Sequence, residues 1–135
     1  MNNLIEELHK EHSLIIKSLN DAKDKIITTN EGQEALNKAK KIFLQHLKKE
    51  DEELYPELKK AALNDPELKQ TLNNFIDEMK VVSKDTIYFF DHYSNGGYTE
   101  KFAADFARLY IKISRRIKDE ENIIYKKYTE LVKDD

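Results

Sequence analysis

The 135-residue chain is long enough for one domain with its own core and too short for two ordinary ones, so a single domain over 1–135 is expected. It has no cysteine, which excludes disulfides, zinc ribbons, iron–sulfur clusters and thiol nucleophiles. Lys+Arg number 23 against 26 Asp+Glu, with the signs interspersed and a formal charge of −3, so no basic face invites nucleic acid.

The first turn is already charged, which fits no leader peptide, and no apolar run approaches a membrane span. The expected setting is cytoplasmic, with neither nucleic acid nor membrane as partner. Glycines at 32, 96 and 97 and prolines at 56 and 66 are the only strong breakers in otherwise helical material. The first predicted helix covers 3–29 and opens on Asn3 and Glu6 in a capping-box pattern. The second covers 33–63, and Pro56 inside it predicts a kink near 52–56. The third covers 66–93, with Asp65 as N-cap and Pro66 at the first helical position, where a missing N–H does no harm. The loop 94–99 follows, and Thr99 is placed to cap a fourth helix over 99–133.

Every segment carries an apolar stripe in alternating steps of three and four residues. Examples are Leu8, Ile15 and Leu19 in the first helix, and Phe106, Leu109 and Ile113 in the last. Short connections force neighbours to run in opposite directions. The predicted fold is all-α, an up-down-up-down antiparallel four-helix bundle.

Polar residues interrupt these stripes. They are His12 in the first helix, His46 and Glu50 in the second, and Arg116 and Glu120 in the fourth, with Met79 at the matching place in the third. Counted from the turns near 31, 64 and 97 at about 1.5 Å per residue, all fall close to one level of the bundle. Burying carboxylates there is costly unless something compensates them. A metal does so directly, because imidazole and carboxylate together suit iron, manganese or zinc. His46 and Glu50, four residues apart, aim at one spot, and His12 and Glu120 complete a set of two histidines and two carboxylates. The metal-free alternative is a polar layer in which Arg116 bridges Glu120 and Glu50 while the histidines hydrogen-bond to them. His9 lies off the stripe and reads as solvent-side, and His92 belongs to the bundle end. The tyrosines read mostly as packing; a tyrosinate ligand is the alternative, but no tyrosine falls in the layer.

The stretch HLKKEDEELYP at 46–56 resembles the second-helix signature of the hemerythrin-like, HHE cation-binding domains. A first-helix histidine, His12 in LHKEHSLI, and a second copy of the signature, RRIKDEENIIY at 115–125, extend the likeness over nearly the whole chain. Aligning Tyr55 with Tyr125 sets Glu50 over Glu120 and His46 over Arg116, where the family has histidine. In the third helix the family has Glu-His where this chain has Glu78-Met79. The resemblance implies a metal site on His12, His46, Glu50 and Glu120, with the ligands of a second iron replaced by Met79 and Arg116. Arginine offers no lone pair, so the Arg116 guanidinium is expected to take the place of the absent ion and pair with the two glutamates.

The function so implied is metal binding at a mononuclear site holding one ion, iron in the first place and otherwise zinc or manganese. By family analogy alone the site would bind or sense oxygen, nitric oxide or peroxide. The alternative is a metal-free bundle acting as a structural or protein-interaction module. An oxidase or peroxidase ranks lower, for no substrate pocket, base or nucleophile is legible. Ferritin-like chemistry ranks lower too, because it asks for Glu-x-x-His rather than His-x-x-x-Glu.

Overall fold

The computed structural model describes residues 3–25, 28–94 and 100–133. Four rods make the bundle. The first is α1 (Leu4–Lys23), and the second is α2 (Asn30–Lys49) continued through a turn of π-helix, Glu50–Leu54, into α3 (Tyr55–Ala62). The third is α4 (Pro66–Tyr93). The fourth is α5 (Phe102–Asp119), a second π turn, Glu120–Ile124, and α6 (Tyr125–Lys133). No strand occurs among the described residues, and no described helix is long and apolar enough to cross a membrane.

The helix starts follow local chemistry in part. Asp65 accepts the Leu68 N–H at 3.1 Å with Pro66 behind it, as its sequence predicts. The second helix begins earlier than 33, because Thr29 accepts the Gly32 N–H at 3.0 Å and starts the turn at Asn30. Asn3 makes no side-chain cap, so the capping box is absent, and α1 stops at Lys23 rather than reaching 29. Thr99 and the end of the loop before it lie outside the described residues.

The kink anticipated at Pro56 takes the form of the first π turn. Proline is not its sole cause, since the second π turn arises without one. Both turns open on a buried glutamate and close beside a buried tyrosine. An extra residue per turn lets positions i, i+4 and i+5 all face inward, so Glu50, Leu54 and Tyr55 are buried together, as are Glu120, Ile124 and Tyr125.

The core is split in two. One apolar cluster gathers Ile15, Leu36, Phe43, Phe89, Phe106 and Ile113 with their neighbours, and the other gathers Leu8, Leu54, Leu58, Leu72, Phe75 and Ile124. Along each of the first, second and fourth rods the polar residues fall between these clusters. Apolar packing above and below therefore seals them from water and fixes their height.

Candidate metal centre

His12, His46, Glu50 and Glu120 meet between the two cores. One ligand atom from each can be chosen so that all lie within 4.8 Å of one another, and all four residues are buried. Relative exposures of 3% for each histidine, 1% for Glu50 and 2% for Glu120 take them out of bulk solvent.

Each histidine is held from behind by a carboxylate. His12 Nδ1 donates to Glu121 Oε2 at 2.8 Å, and His46 Nδ1 donates to Glu11 Oε1 at 2.7 Å. With the outer nitrogen so engaged, a neutral ring carries its lone pair on Nε2, aimed inward. Glu11 and Glu121 are in turn approached by Lys49 and His9, at 3.3 Å and 3.0 Å. His12 Nε2 stands 2.9 Å from Glu120 Oε1. His46 Nε2 stands 3.2 Å from Glu50 Oε1 and 3.8 Å from Glu120 Oε1, yet it has no hydrogen-bond partner.

Two tyrosines enter the layer, contrary to the sequence reading. Tyr55 Oη donates to Glu120 Oε2 at 2.8 Å, and Tyr125 Oη lies 2.8 Å from Glu50 Oε2 and 3.0 Å from Glu120 Oε1. Each tyrosine thus reaches the glutamate of the other signature copy. The π turns bring them there, and the repeated Glu-to-Tyr spacing of five residues is the signal that could have revealed it.

Arg116 corrects another expectation. Its guanidinium does not sit on Glu50 and Glu120; it donates to Glu78 Oε2 at 2.5 Å and Asp119 Oδ2 at 2.6 Å, and it lies 4.8 Å from the centre of the Phe75 ring. The Arg116 side chain is only 12% exposed, and the two anionic partners outweigh the desolvation that this burial imposes. Met79 is half-buried against the apolar cluster of Leu54, Leu72 and Phe75, and with Arg116 it lines a small pocket beside His12, His46 and Glu120. His9 is 48% exposed in its side chain and takes no part in the cluster, while His92 packs on Tyr88 and Tyr93 near the bundle end.

Without a cation the cluster must be neutralised by protons. Burial pushes the Glu50 carboxyl up to about 8, against the pull of His46 and with repulsion from Glu120 adding to it. Burial alone would also raise Glu120, but the hydrogen bond from His12 and the nearby His46 ring outweigh it and hold that carboxyl well below the usual range. For His46, burial lowers the value, and the Glu120, Glu50 and Glu11 carboxylates around it win, raising it to about 10. Burial and the neighbouring carboxylates push both tyrosine hydroxyls far above their ordinary values.

The donor chemistry fits a metal ion: two imidazole nitrogens oriented from behind, two carboxylates, and one inward nitrogen with no hydrogen bond to make. Fold and cluster together define a helical bundle with a buried cage suited to a cation. The chain belongs to the hemerythrin HHE cation-binding domain family, whose model matches residues 2–128. No curated protein and no solved structure matches it.

Proposed function

We propose that the chain binds one iron ion through His12, His46, Glu50 and Glu120, and that this mononuclear centre binds or senses a small ligand such as oxygen, nitric oxide or peroxide. The observation that carries the reading is the convergence of four buried candidate ligands, one of which, His46, turns inward a Nε2 that makes no hydrogen bond. Two features support a single ion. Arg116 has no lone pair and is engaged by Glu78 and Asp119. Met79 offers only a soft thioether where iron prefers imidazole or carboxylate.

When bound, iron supplies a redox-active centre able to hold a small ligand. The protein supplies orientation and exclusion. Glu121 and Glu11 fix the two imidazoles, and the apolar side chains of Val82, Ile113 and Ile117 wall the pocket beside them, which has room for no more than a single water-sized molecule. A space that small suits a diatomic molecule or peroxide.

The metal-free module is the second reading. It is favoured by the nearly complete pairing of the layer, in which His12, Glu50, Glu120 and both tyrosines already have partners. Elemental analysis of protein expressed in iron-supplemented medium separates the two. About one iron per chain supports the mononuclear site, a content near zero supports the module, and two overturns the reading of Met79 and Arg116. One zinc or manganese in place of iron would keep the site and overturn its metal.

A further inference from the structure

Around Tyr125 the buried hydrogen bonds do not add up. Its Oη lies 2.8 Å from Glu50 Oε2, 3.0 Å from Glu120 Oε1 and 3.0 Å from His12 Nε2. A phenol has one proton to donate, and two carboxylate oxygens compete for it. His12 Nε2 is itself 2.9 Å from the same Glu120 oxygen, and His46 Nε2 has no hydrogen bond at all. Atoms that ordinarily offer lone pairs are thus crowded at the centre of the layer, where protons or a cation must hold them together. A cation does so by accepting a lone pair from each atom.

The spacing points the same way. Ligand atoms held about 2.0–2.2 Å from one ion stand about 3 Å from each other. Tyr125 Oη stands at such a distance from three atoms of the set, whereas Tyr55 Oη touches only Glu120 Oε2, at 2.8 Å. The Tyr125 ring is fixed as well. It is 1% exposed, stacks on His12 with centroids 5.3 Å apart and planes at 10°, and meets His9 edge-on, also at 5.3 Å.

We propose that Tyr125 is a metal ligand, its phenolate oxygen joining His12, His46, Glu50 and Glu120 to make a site selective for ferric iron. This rests on the metal-binding reading above. Two carboxylates and one phenolate carry three negative charges, which a ferric ion balances in a site too dry to tolerate an excess. A divalent ion needs only the two carboxylates and leaves the phenol protonated. On ferric binding the phenol O–H bond breaks, its electron pair stays on Oη and forms the bond to the metal, and its proton leaves to solvent, together with any proton that the Glu50 carboxyl and His46 Nε2 hold before the ion binds. No electron changes hands.

The test loads the full chain with ferric nitrilotriacetate and, separately, with zinc, then measures metal content, visible absorption and resonance Raman scattering. Wild type should take up about one ferric ion and show a phenolate-to-iron charge-transfer band with tyrosine ring modes. Tyr125→Phe should lose the band and about 100-fold in ferric affinity, with a much smaller change for zinc, while Tyr55→Phe keeps the band. If Tyr125→Phe does not fold, 3-fluorotyrosine incorporated into the Tyr55→Phe chain should shift the band, and an unshifted band overturns the proposal. Ferric ion bound without the band overturns Tyr125 ligation and leaves metal binding standing, whereas failure to bind metal at all overturns both. A band that survives Tyr125→Phe, or vanishes in Tyr55→Phe, places the phenolate elsewhere and overturns the assignment.

Discussion

Replacing Glu50 by Gln keeps the shape of a buried side chain and removes its charge, and this should stabilise the metal-free protein at high pH while abolishing iron binding. Glu50 is 1% exposed, accepts a hydrogen bond from Tyr125 at 2.8 Å and faces His46 Nε2 at 3.2 Å. Its carboxyl holds its proton up to about pH 8 in the fold, against 4.5 as an ordinary glutamate. The unfolded chain therefore releases that proton first, so the metal-free fold loses stability as pH climbs from 4.5 to about 8 and keeps the deficit above that. At about 1.36 kcal/mol per pKa unit a shift of this size is worth several kcal/mol. After allowance for the amide's own pairing with Tyr125 and His46, Glu50→Gln should gain ~2 kcal/mol at pH 9, or roughly 5–10 °C in Tm for a chain of this size. At pH 5 the wild-type side chain is already neutral, and the two proteins should melt within about 0.5 kcal/mol of each other. Thermal denaturation by circular dichroism in chelator, at both pH values, measures the difference. With iron added, the order at pH 9 should reverse, because only wild type gains from the ion. A variant that melts lower than wild type at pH 9 in chelator, or by the same margin at both pH values, would refute the claim that burying the Glu50 charge is a cost which the metal relieves.

Chelation of the iron-loaded protein should lower Tm by about 10 °C, since free iron at 100 times its Kd adds ~2.7 kcal/mol to the native state; a transition that ignores the chelator in demonstrably loaded protein would contradict this. His46→Ala should abolish iron binding in a metal titration, whereas His9→Ala should leave it nearly intact, because only His46 aims a buried nitrogen into the cluster. The metal-free chain should be most stable near pH 5–6 by chemical denaturation. His46, raised to about 10, contributes fully below 6.5 and loses its contribution as pH rises through 10, while Glu120, held low, contributes above 4.5 and weakens as pH falls further. A stability that keeps rising from pH 6 to pH 9 in chelator would count against both. Arg116→Gln should leave iron affinity within about twofold and lower stability by ~1 kcal/mol through loss of its surface pairs and the Phe75 contact. A tenfold change in affinity would return that guanidinium to the carboxylates.

Much of this was legible in the sequence because it depends on local periodicity. The stripes and the few breakers fix four helices and their faces, and counting residues from the turns places His12, His46, Glu50 and Glu120 at one height. The structure brings all four within reach of a single ion. Helical rise is nearly constant, so height can be read without knowing how the rods pack. The Asp65–Pro66 start is legible for the same reason, being complete within four residues.

What tertiary packing decided is direction. Arg116 lies on the stripe at the right height, yet a long side chain settles where anions meet it, and those anions are Glu78 on α4 and Asp119 beside it. Tyr55 and Tyr125 fall off an α-helical stripe and enter the layer only because each π turn rephases its rod by an added residue. Glu11 and Glu121 have no sequence signal beyond being acidic, for each finds its histidine on another helix. The candidate ligand set follows from rise and phase along single helices, whereas the groups that orient and would complete it depend on contacts between helices, which the chain acquires only on folding.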